Sequence, residues 1–85
     1  MPYIKQHRRL EFNNHIEALV LEAKGMGELN YIITRLCDGY ISKFADYGAC
    51  NAIVGVLECA KLEFARRRLY PLEEGKCKEN GEVFE

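Results

Sequence analysis

The residues best suited to chemistry in this chain are arginines and a few polar groups at helical spacing. Arg66, Arg67 and Arg68 stand in a row. A guanidinium fork can grip a phosphate or carboxylate through two hydrogen bonds. Three cations at a helix C-terminus are also favoured by the helix dipole alone, with their stems covering apolar surface. Asn30, Tyr31, Thr34 and Asp38 form a polar stripe along one helical face. An exposed stripe is solvated by default, but a tyrosine among hydrogen-bonding neighbours also suits a planar ligand. Asn51, Gly55, Glu58 and Leu62 share a second face, with Lys61 at its border. Gly55 in mid-helix predicts that another backbone or a ligand comes close there. The candidate ligand-binding set is therefore Asn30, Tyr31, Thr34, Asn51, Glu58, Lys61, Arg66 and Arg67.

Catalytic constellations do not stand out. Magnesium-dependent chemistry on helices calls for carboxylates one turn apart on two helices. Glu79 and Glu82 form a Glu-x-x-Glu pair, but they fall in a turn-rich segment. Glu17 and Glu22, like Glu58 and Glu63, are five apart and point to different faces. No Gly-rich phosphate loop and no Ser/His/Asp order occurs. The four cysteines, Cys37, Cys50, Cys59 and Cys77, form no Cys-x-x-Cys pair, and His7 and His15 lie at no finger-like spacing from them. They are expected as buried or half-buried thiols. The expectation is a protein without catalytic residues, metal or cofactor.

What must position these residues is one small domain of 85 residues. Its apolar share of 48% and charged share of 29% fit a globular protein, with a net charge of -1 that offers no global attraction to nucleic acid. No apolar run approaches bilayer length, so the chain is expected in the cytoplasm, away from membranes, with reduced thiols.

Residues 1–12 are expected as an extended arm carrying a basic cluster of Lys5, His7, Arg8 and Arg9. Asn13 or Asn14 is a good N-cap for a first amphipathic helix through Ile16, Leu19, Val20 and Ala23, stopped by Gly25. Glu28 opens a second helix, whose wide apolar face runs from Leu29 to Phe44. Asp46 is the expected cap of a third, long helix, with Cys50, Ile53, Leu57, Ala60 and Phe64 as its core stripe. Glu63 and Arg67 are spaced for an ion pair. Pro71 is expected to end this helix, leaving 71–85 as a polar tail with Val83 and Phe84 as an anchor. The fold class is all-α: a small three-helix domain, helical over 13–70, with an N-terminal arm and a C-terminal tail. A chain this short exposes much apolar surface, which predicts a homo-oligomer.

The MPYI start, GELNYIITRL, the region of Tyr47, GVLECAKLEFARRR, the Pro71-Leu72-Glu73 step and the closing ENGEVF together resemble a family of short uncharacterised proteins. That family is found in phages and in archaeal and uncultivated bacterial genomes. Its members usually read EFYRR where this chain has Glu63-Phe64-Ala65-Arg66-Arg67. The resemblance implies a helical fold and a phage-like setting, with no established activity.

The expected function is non-catalytic binding. A helical homo-oligomer would hold a cyclic nucleotide or another phosphate-bearing molecule between subunits, as phage proteins that sequester signals of host immunity do. The alternatives are an inhibitor or adaptor that binds a protein, and a nucleic-acid accessory protein, the last disfavoured by the near-neutral charge.

Overall fold

The computed structural model describes residues 2–43 and 47–84, with the backbone alone at Tyr47. Helix α1 spans Gln6–Glu22, α2 spans Met26–Ile41 and α3 spans Tyr47–Phe64. A π-helical turn, Ala65–Leu69, then joins α3 to α4, Tyr70–Asn80, without a break. The architecture is all-helical, three rods in sequence, with no strand among the described residues. At about 1.5 Å per residue the third rod is about 50 Å long. That matches the molecule's longest dimension of 49 Å.

α1 starts at Gln6, not at Asn13 or Asn14. The basic cluster of the expected arm is part of the helix, and only residues up to Lys5 stay extended. Neighbouring turns explain the early start. Arg8 pairs with Glu11 and lies 4.9 Å from the centre of the Phe12 ring, an i,i+3 and an i,i+4 contact that both favour helix. Lys5 offers the helix its carbonyl, which accepts from the amides of Arg8 and Arg9. Apolar side chains lie on both sides of α1. Phe12, Ile16 and Leu19 mark one face, while Leu10 and Leu21 stand out on the other, 72% and 83% exposed.

α1 ends at Glu22, before the expected stop at Gly25, with Ala23 already extended at ψ 128°; Gly25, with φ at 94°, a conformation that favours glycine, instead precedes the first turn of α2. Three residues of connector suffice because Glu28 reaches back to accept the Lys24 amide at 2.9 Å, a carboxylate in the first turn where the dipole favours it. The expected cap Asp46 and the apolar Phe44 lie outside the described residues.

The larger correction is at Pro71. The helix does not stop there, and most of the expected tail is α4. A proline inside a helix lacks an amide and drives its ring into the carbonyl four residues back. Here the backbone widens by one residue before the ring. The Tyr70 amide bonds to the Ala65 carbonyl, five residues back, and Pro71 falls in the first turn of α4, where a missing donor costs little. Gly81, at φ 91°, caps the end, its amide bonded to the Cys77 carbonyl at 2.8 Å. Val83 and Phe84 beyond it are more than four-fifths exposed and anchor nothing on the helices.

Among the described residues one, Ala65, is buried. It sits at the π turn, where α3, α4 and the turn itself meet. Ile32, Cys37, Ile41, Ala49 and Ile53 are half-buried where α2 approaches α3. The apolar stripes read from the sequence are present, but they are largely open.

Candidate anion-binding site

The π turn sets the geometry of the three arginines. It carries Arg66 back over the last turn of α3, where Nη2 donates to Glu63 Oε1 at 2.6 Å and Nε to Glu63 Oε2 at 3.4 Å. The N-terminal segment closes on the same carboxylate: Tyr3 donates its hydroxyl proton to Glu63 Oε1, and its oxygen accepts from Arg66 Nη2 at 3.1 Å. Tyr3, Glu63 and Arg66 thus form one cluster that ties the first residues of the chain to the middle of its longest rod. The Arg66 hydrogen bond, then the Tyr3 hydrogen bond, hold the Glu63 carboxyl below its ordinary range, and Glu63 in turn raises Arg66. Arg9 Nε donates to the Ile4 carbonyl at 2.7 Å, which fixes the approach of the segment.

Beside this cluster lies a cleft of about 520 Å³ between the N-terminal segment, α1 and the π turn. Its apolar floor includes Phe12, Ile16 and Phe64, and its rim carries Arg9, Arg67 and Arg68. Glu63 is the acidic residue of the lining, and Arg66 already neutralises it. Among the described residues, Arg9, Arg67 and Arg68 enter no ion pair. Arg67 acts on Glu63 through space and helps to lower its pKa. The expected Glu63–Arg67 bridge is therefore replaced by Glu63–Arg66, because the wider turn swings the i+4 residue past the carboxylate. A cleft with cationic rim and aromatic floor can take an anion bearing a flat, apolar part.

The other residues singled out from the sequence fall in two further groups. On α2, the Thr34 hydroxyl donates to the Asn30 carbonyl at 2.8 Å and lies 3.2 Å from its Oδ1, while Arg35 Nη1 donates to the Tyr31 hydroxyl at 2.9 Å. The Arg35 guanidinium also stands 5.7 Å from the centre of the Tyr31 ring. Arg35 was legible as the i+4 neighbour of Tyr31. On α3, Glu58 and Lys61 pair at 3.3 Å, both well exposed, so the pair stabilises only weakly. Asn51 is exposed on the same helix. Nothing of the chain itself comes within 4 Å of where a Cβ at Gly55 would stand, so the close approach expected there is not made within one chain. The arginine cleft contains Arg67 but none of Asn30, Tyr31, Thr34, Asn51, Glu58 or Lys61.

Tyr3, Arg9 and Glu63 were missed as site residues. Glu63–Arg66 at i,i+3 was available as a signal, whereas nothing local links Tyr3 to a residue sixty positions on. All four cysteines are free. Cys37 and Cys77 are half-buried as expected, but Cys50 and Cys59 are exposed, because their faces of α3 have nothing packed on them. Cys77 donates to Glu82 Oε2 at 2.9 Å, which raises its pKa. Among the described residues no group of three or more His, Cys, Asp or Glu could hold a metal ion, and no helix is long and apolar enough to cross a membrane.

No curated protein and no solved structure matches the chain. A family model does, described as "Domain of unknown function (DUF6899)", over residues 1–83. The protein belongs to that family, DUF6899.

Proposed function

We propose that this protein is a non-catalytic helical binding protein that works as a homo-oligomer and takes a phosphate-bearing small molecule of nucleotide type. The observation that carries it is the cleft at the π turn, which Arg67 and Arg68 line together with Phe12 and Phe64 while Arg66 is occupied by Glu63 and Tyr3. Two arginines without carboxylate partners suit phosphate oxygens, and the aromatic floor suits a base. Asn30, Tyr31, Thr34, Asn51, Glu58 and Lys61 lie away from this cleft in one chain, so a second copy is what would bring them to the same ligand. In the phage-like setting that the sequence resemblance suggests, such a protein would act in the host cytoplasm and sequester a cyclic nucleotide signal of immunity.

The test is thermal melting of the purified protein with cyclic dinucleotides and cyclic ADP-ribose-type molecules. At ligand a hundredfold above Kd the gain is about 2.7 kcal/mol. For a domain of this size that raises the midpoint by roughly 10–20 °C. Arg67→Glu is expected to abolish the shift. No shift with any of these ligands well above micromolar concentration would overturn the nucleotide assignment.

A second reading has its own observation. Large apolar side chains stand exposed on every helix, among them Leu21, Met26, Val54 and Leu72. A protein-binding inhibitor or adaptor would use such surface, and co-purification of one host protein at fixed stoichiometry, without any small-molecule shift, would favour it.

A further inference from the structure

The chain exposes 7996 Å². A compact monomer of 9.8 kDa would expose about 5,200 Å², so roughly 2,800 Å² per chain is in excess. The radius of gyration agrees, at 16.7 Å against roughly 12 Å for a compact chain of this length. An ordinary transient partner covers about 800 Å² per side, whereas obligate interfaces cover well over 1,000 Å² per side. The excess belongs to the obligate kind. With one residue buried among those described, the chain also has too little interior to hold its fold alone. Its partner must then be present whenever the chain is made, in matching amount, and a second copy of the same chain meets that condition by default.

A largely apolar surface available to that copy lies between α2 and α3. A groove of about 710 Å³ opens there, with Leu36, Cys37 and Tyr40 on the α2 side and Ala52, Ile53 and Val56 on the α3 side. Among the described residues no charged one lines it. Leu36 and Tyr40 on the α2 wall stand with the small Gly48, Ala49 and Ala52 on the α3 wall, so the patch offers both protrusions and recesses. That is what a surface needs in order to meet its own image across a two-fold axis. An uncharged lining also raises no like-charge repulsion between identical copies.

We propose that the α2–α3 groove is an isologous dimer interface, in which each copy's groove seats the same face of the other. This rests on the oligomeric half of the function proposed above and not on its ligand, so the two can fail separately. The solution mass, measured by sedimentation, is expected at twice the chain mass, and Val56→Lys is expected to weaken the dimer roughly thirtyfold or more, the loss typical of a central interface residue. Because a lysine there could prevent folding altogether, a second measurement uses the intact groove. With Cys50, Cys59 and Cys77 changed to serine, a short bis-maleimide is expected to join Cys37 of one copy to Cys37 of the other. A monomer at micromolar concentration overturns the proposal. So does an oligomer that gives no Cys37 cross-link, or one that a folded Val56→Lys variant leaves intact.

Discussion

Replacing Pro71 by alanine separates two ways in which a proline can sit in a helix. A proline in a regular helix interior costs about 3 kcal/mol relative to alanine, from ring clash and a lost hydrogen bond together. In this protein the backbone has already widened before the ring, with the Tyr70 amide bonded to the Ala65 carbonyl. The clash component is thereby removed, and what alanine can recover is one backbone hydrogen bond, about 1 kcal/mol net. Against this, alanine frees the unfolded chain by about 0.4–1 kcal/mol. The two nearly cancel, so Pro71→Ala is expected to change stability by less than about 1 kcal/mol, a shift of at most about 4–8 °C in melting midpoint. The geometry is expected to change more than the stability. Without the ring, an α-helical turn replaces the π turn and rotates Arg66–Arg68 by about 100° relative to α4, breaking the Arg66–Tyr3 contact. Circular-dichroism melts at fixed protein concentration read the first effect, and backbone chemical shifts over 65–69 read the second. A gain near 3 kcal/mol would mean that the ring still clashes in the native protein, and a π turn that persists in the alanine variant would mean that Pro71 does not cause it.

The remaining predictions concern ionisable groups at the middle and near the C-terminal end of the long rod. Glu63 is held below its ordinary value of 4.5 by Arg66 and then Tyr3. A lowered carboxylate contributes stability above the unfolded pKa and loses it as pH falls through the folded one. The melting difference between wild type and Glu63→Gln is therefore expected to be level above about pH 4.5 and to shrink below it. Added salt is expected to reduce it throughout, since the pair is exposed; a difference that grows in acid would contradict the assignment. Cys77 carries a pKa raised first by its hydrogen bond to Glu82, so it is expected to react more slowly with a maleimide near neutral pH than the exposed Cys50 and Cys59. Glu82→Gln is expected to speed the Cys77 reaction, and an unchanged rate would show that burial alone protects it.

Much of the fold was legible from short-range pattern. Glu28 in a first turn and the apolar stripe of α2 each depend on residues within a turn or two, and both are present. The errors came where a strong local rule met a cheap structural escape. Asn13 is a good cap, yet helix continues through it because the preceding turns already favour helix by side-chain pairing. Pro71 forbids a regular helix but not one that widens by a residue. The candidate site was half legible: the row of arginines was plain, while its partner Tyr3 lies far off in sequence and has no spacing signal. The stripes on α2 and α3 that looked like ligand faces are locally satisfied, by Thr34 with Asn30, Arg35 with Tyr31 and Lys61 with Glu58. Their convergence on a ligand needs more than one chain.

Native mass spectrometry of the protein after incubation with cyclic dinucleotides reads copy number and ligand in one spectrum. The expected result is an assembly of two chains, or a multiple of two, carrying a nucleotide mass that Arg67→Glu removes. A bare chain of 9.8 kDa that takes up no nucleotide would contradict both the oligomer and the site.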